Sequence, residues 1–215
     1  MVNIPDLLRF PLRSWRACGI AKTCYPLAIP HIRAVDFDPH TAFEIAEELD
    51  ENGLDTLLIV SGDLDRTSSR KMYPTNSVEM IRRLKHELPH LTIYAGIDPY
   101  RSGLQDEYRY AQEKLEAGAQ GFFSQPFFDL RMMEIYAELF ADVEMYWGAS
   151  PVTSHRSMNY WETVNRVVFP ATFEPTLEWN RQFARKVLDF AESTGGNVYF
   201  MPIRISAIEY LQGIL

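Results

Sequence analysis

Four apolar runs most constrain what this chain can fold into: 55–60 (DTLLIV), 91–95 (LTIYA), 120–124 (QGFFS) and 143–147 (VEMYW). Between them the apolar residues change period. Val78, Ile81, Leu84 and Leu88 fall on one helical face, as do Tyr108, Ala111 and Leu115, and then Met132, Met133, Tyr136, Leu139 and Phe140. Strands of this kind, each followed by a helix, build parallel βα units. Their continuous apolar character suits strands covered on both faces.

The rhythm extends in both directions. A strand is expected at 27–32 and a helix at 39–52, with Ala42, Ile45, Ala46 and Leu49 inward and Gly53 as its stop. A long helix is expected over 177–193, closed by Gly195 and Gly196. A strand at 197–201 and a short helix at 206–212 complete the chain. No dinucleotide-type G-x-G-x-x-G follows the first strand, so the pattern favours a (β/α)8 TIM barrel over a Rossmann sheet. Only 26 residues precede Leu27, too few for two strands and a crossover of at least ~10–12 residues. The barrel is therefore expected to be incomplete or shortened over 1–26, with one alternative in which 14–21 forms a degenerate strand and leaves a seven-strand or open barrel. The chain reads as a single domain over 1–215, with no linker or low-complexity stretch.

Composition removes several function classes. The net charge of −8 opposes nucleic-acid binding, which runs on clustered Lys and Arg. Apolar runs fall short of the ~18–20 residues a membrane span needs. Cys18 and Cys24 form no zinc-type pattern, so no metal site and no disulfide framework are expected, and a cytoplasmic setting fits. Pro5 and Pro11 interrupt the basic N-terminal stretch that could otherwise act as a targeting segment.

In barrels the working residues lie at the C-terminal ends of the strands. Those ends deliver His31, Asp63, Gln125 and Arg204, from four separate strands expected to share one mouth. Gln125 is the most informative. It stands among Phe122, Phe123, Phe127 and Phe128, where an unpartnered buried amide would cost about 1–3 kcal/mol. A neighbouring loop or a ligand should satisfy it. Each of the four also has a structural reading: His31 as a satisfied strand-end residue, Asp63 as a turn cap, Gln125 on backbone carbonyls, Arg204 paired with Glu209. Trp147, Trp161 and Trp179 read as core.

The order IPHIRAVD, SGD, MYP, KLEAGAQ, FFSQPFFD, GASPV and VYFMPIR resembles the methylenetetrahydrofolate reductases, over about 27–215. AGAQGFFSQPFFD and its distance from YFMPIR are its most specific parts. The resemblance implies an oxidoreductase of one-carbon metabolism. NADH or NADPH would donate hydride, through FAD, to 5,10-methylenetetrahydrofolate, giving 5-methyltetrahydrofolate. It implies that Gln125, Arg204 and Asp63 bind the folate, with Asp63 also catalytic. His31, Gly62, Tyr73, Glu107 and Lys114 would bind the FAD. The amide and carboxylate suit the donor–acceptor edge of a pterin, and the guanidinium suits folate carboxylates.

The sequence also departs from that pattern. It lacks the E-F-F-P-type strand whose glutamate protonates the substrate. Ser61 replaces an arginine, Glu113 replaces a basic residue near the FAD phosphates, and His155 replaces an aromatic near folate. These departures keep two alternatives open: a folate-binding relative without tightly bound flavin, or a non-catalytic partner subunit completing another chain's barrel. An open strand edge would favour a homo-oligomer or a partner subunit.

Overall fold

The computed structural model describes residues 1–62 and 70–215. Asp63 therefore lies outside the described residues. Seven strands run in sequence order through one sheet: β1 (Val2–Ile4), β2 (Ala28–Arg33), β3 (Thr56–Val60), β4 (Thr92–Ile97), β5 (Gly121–Pro126), β6 (Glu144–Ala149) and β7 (Asn197–Phe200). Helices alternate with them: α1 (Ser14–Ala21), α2 (Ala46–Glu51), α3 (Ser77–Glu87), α4 (Leu104–Glu116), α5 (Leu130–Leu139), α6 (His155–Thr163), α7 (Leu177–Thr194) and α8 (Ala207–Leu211). This is the α/β fold of the TIM-barrel type, with seven parallel strands. No described helix is long and apolar enough to cross a membrane.

The chain forms two compact units. The first comprises Met1–Gly96 and Tyr110–Gly121. Here β1 pairs parallel to β2, β2 to β3, and β3 to β4. β3 buries Thr56, Leu57, Leu58 and Ile59, as its unbroken apolar run requires. α3 starts on a capping box in which Asn76 accepts from the Glu79 N–H and the Glu79 carboxylate accepts from the Asn76 N–H. Its Val78, Met80, Ile81 and Leu84 are buried.

The second unit comprises Ile97–Arg109 and Phe122–Leu215. β6 pairs parallel to β7 with Gly148 opposite Tyr199. Phe122 lies against Phe140, and Trp147 against Phe127 and Phe190, on one face of the sheet. Phe128, Val152, Trp161 and Val167 form a buried cluster joined by Phe169, Phe173 and Trp179. Trp147 and Trp161 are core, as expected, and Trp179 is half-buried, its indole N–H donating to the Thr172 carbonyl. α7 ends on left-handed Gly195, φ 71°.

Two expectations need correction. Residues 14–21 form a helix, not a strand, with Trp15 and Cys18 buried. The first strand instead lies at Val2–Ile4. The helix expected over 39–52 is helical only from Ala46 to Glu51. Phe43 and Ile45 are buried as an irregular stretch fills that space, so apolar spacing alone overstated the helix. Both cysteines are free, Cys18 buried and Cys24 exposed.

Candidate functional site

In the first unit, β2 carries His31 and then turns through Ala34–Asp36. His31 is half-buried, its Nε2 3.3 Å from Asn3 Oδ1, and burial lowers the imidazole pKa to about 4. It is therefore neutral at physiological pH. Val35 ties the neighbouring pieces together. Its N–H donates to the Ser61 carbonyl and its carbonyl accepts from the Tyr73 N–H at 2.8 Å. Gly62 follows β3 at φ +88°, where a Cβ would fall 2.7 Å from Val35 Cγ2 and 3.0 Å from Arg33 Nε. Glycine is thus required by close packing as well as by backbone angle. Tyr73 is half-buried with the Lys71 ammonium 4.5 Å from its ring centre.

Beneath this corner lies a buried ion network. The Arg13 guanidinium reaches both Asp6 and Asp36 at 2.7 Å. Arg70 lies 3.6 Å from the same two carboxylates and Arg33 3.7 Å from Asp36.

In the second unit, β5 places Phe123 and Gln125 on the same face, because side chains alternate along a strand. Phe123 is stacked on Tyr146, centroids 4.1 Å apart, with Tyr199 edge-on at 5.2 Å. The Tyr199 hydroxyl donates to the Ser124 carbonyl, passing over Gly148, where a Cβ would meet that carbonyl at 2.7 Å. These rings floor the C-terminal end of β5 to β7. Gln125 rises beyond them, exposed, and makes no hydrogen bond to a described residue. The expectation of a buried amide is thereby corrected: the flanking Phe127 and Phe128 leave the strand toward the helix side, so the aromatic run does not enclose Gln125.

Arg204 follows β7 and is also exposed, with φ 61°, a left-handed conformation rare for a residue with a side chain. It makes no ion pair with Glu209, whose backbone carbonyl instead accepts from Arg181. Ser150 Oγ donates to the Met201 carbonyl at 3.0 Å, fixing the loop that leads to Arg204. His155 is exposed at the start of α6. The aromatic floor of Phe123, Tyr146 and Tyr199 escaped sequence reading, although its period of two with Gln125 and Gly148 was visible.

The sequence model described as methylenetetrahydrofolate reductase matches residues 14–187. The chain belongs to the methylenetetrahydrofolate reductase family. The 5,10-methylenetetrahydrofolate reductase of Escherichia coli (strain K12) is 25% identical over 190 residues, covering 85% of this chain and 62% of the relative. That of Pectobacterium carotovorum subsp. carotovorum is 25% identical over 148 residues, covering 66% of this chain and 50% of the relative. This family member thus spans about three-fifths of the length of the first relative and half of the second. Among solved structures, 2,3-dimethylmalate lyase superposes with TM-score 0.56 at 12% identity, covering 90% of this chain and 61% of its own. Oxaloacetate acetylhydrolase does so with TM-score 0.53 at 14% identity, covering 98% and 76%. These two share the fold alone.

Methylenetetrahydrofolate reductases are flavin enzymes, and in this chain the residues matched to the FAD diphosphate are engaged elsewhere or carry the wrong chemistry. Lys114 is 1% exposed, its Nζ 2.7 Å from the Gly96 carbonyl and 4.2 Å from the Tyr110 ring centre. Glu107 is 0% exposed, accepting from the Asp98 N–H at 3.0 Å and paired with Arg101. The Ser61 hydroxyl is 2.9 Å from that of Ser77, and Glu113 is exposed. This donor set does not fit a diphosphate.

Proposed function

We propose that this chain is a folate-dependent oxidoreductase of one-carbon metabolism. It would reduce 5,10-methylenetetrahydrofolate to 5-methyltetrahydrofolate with NADH or NADPH as the hydride source. The observation that carries the reading is the exposed Gln125 amide above the ring floor of Phe123, Tyr146 and Tyr199. An amide there can pair with the adjacent donor and acceptor of a pterin edge, and the mutually packed rings below, Phe123 and Tyr146 among them buried, hold rigid the strand that presents it. Arg204 would hold the folate carboxylates.

The chemistry balances as one hydride and one proton. The methylene carbon accepts the hydride, its bond to the nitrogen nearer the benzoyl group breaks, and that nitrogen takes the proton. Asp63 is the acid this reading assigns to the proton. A carboxyl partly withdrawn from water can hold a proton near neutrality. No step is assigned to FAD. His31, Gly62 and Tyr73 remain the positions this reading gives to a flavin ring, while Lys114 is left to the framework of the first unit and Glu107 to that of the second. A homo-oligomer or a partner subunit covering the outer strands, and work in the cytoplasm, go with this reading.

The test is oxidation of NADH or NADPH by the purified chain. Consumption that depends on methylenetetrahydrofolate and yields methyltetrahydrofolate supports it. If the folate binds but no nicotinamide is consumed, the catalytic part fails and the partner-subunit alternative gains.

A further inference from the structure

The four positions that should face an FAD diphosphate and its ribose are occupied by chemistry that repels or ignores a phosphate. A diphosphate is a dianion and needs cations or free N–H donors. Lys114 is the one cation among these positions, and it is consumed. Its ammonium is buried, bonded to the Gly96 carbonyl and lodged against Tyr110. Turning it outward would strand that carbonyl without a donor. The Glu107 carboxylate is sealed behind Asp98 and Arg101 and presents nothing to a ribose hydroxyl. Glu113 adds a solvent-facing negative charge, and the neutral Ser61 hydroxyl is turned to Ser77.

We infer that this chain does not anchor a flavin through its diphosphate, so that any flavin it takes is recognised by the ring end alone. Lys114 and Glu107 are framework residues, each satisfied within its own unit. The inference rests on the folate-reductase reading only for the choice of flavin as ligand. It implies that FAD, FMN and riboflavin are equivalent ligands and that none survives purification.

The experiment titrates the purified full chain with riboflavin, FMN and FAD in turn by calorimetry, with 5-methyltetrahydrofolate in a parallel cell. The expected result is a colourless protein whose three flavin affinities lie within about tenfold of one another, or which binds none. FAD retained stoichiometrically, or binding more than about tenfold tighter than riboflavin, overturns the inference. A Lys114→Met variant adds a second reading. It should melt at lower temperature with an unchanged FAD-to-riboflavin ratio. An unchanged melting temperature with selectively weakened FAD binding would overturn the inference as well. Failure of the folate titration alone sinks the folate reading and leaves the flavin inference standing.

Discussion

Asn3 Oδ1 lies 3.3 Å from His31 Nε2, across the parallel pairing of β1 with β2. A three-residue strand near the N-terminus thus helps to hold the imidazole at the rim of the first unit. With its pKa lowered to about 4 by burial, His31 is uncharged through the physiological range.

The first prediction follows from that shift. Above pH 6.5 the imidazole is neutral in both the folded and the unfolded chain and contributes no pH dependence. As pH falls from 6.5 toward 4, the unfolded chain takes up a proton that the folded chain refuses. Stability should then fall by up to about 1.4 kcal/mol per pH unit. Urea melts of the wild type and of His31→Gln should differ in slope only within that window. Parallel curves across it would refute the assignment.

Gly62 gives the second. A methyl there meets Val35 and Arg33, and φ +88° penalises any side chain. Gly62→Ala should destabilise by roughly 2–4 kcal/mol, from left-handed strain of about 1–2 plus overpacking. Chemical denaturation checks it, and a loss under about 0.5 kcal/mol would show that the corner relaxes freely.

The third concerns the ion network. The Asp6 side chain is 0% exposed and paired with Arg13 at 2.7 Å. Asp6→Asn leaves Arg13 and Arg70 with less compensating charge in a buried setting. A loss of about 3–5 kcal/mol is expected. A denaturation midpoint unchanged from the wild type would show that the N-terminal segment is not braced by this pair.

Much of this architecture was legible because its signals are local. Strands β3 to β6 are apolar runs of five or six residues, and α3, α5 and α7 carry both a stripe and a stop or cap at Asn76, Asp129 and Gly195. β1 was not legible. Three residues carry no period, and their pairing with 28–30 is decided by tertiary contact. α1 has no capping side chain and contains Gly19, so nothing announces a helix. α6 buries only Trp161 of its nine residues, so it has no apolar stripe, although its Ser154 cap was there to be read. At the site, residue types at strand ends were readable. Exposure was not, because whether Gln125 faces water depends on how Phe127 and Phe128 leave the strand.

Arg204 supplies the fourth prediction. Its φ of 61° costs about 1–2 kcal/mol for a residue with a Cβ. Arg204→Gly should leave stability unchanged or slightly raised while folate affinity falls. Thermal melts and calorimetric titration separate the two effects. Strain kept at an exposed residue whose side chain bonds to no described residue is what a ligand-binding role would explain. Equal affinity in the variant would remove Arg204 from the site.

The most direct measurement is calorimetric titration of 5-methyltetrahydrofolate into the wild-type chain and into Gln125→Ala. Because the amide is exposed and bonds to no described residue, the variant should melt at the wild-type temperature while binding the folate at least about tenfold more weakly. Equal affinities in the two proteins would contradict the claim that this amide grips the pterin.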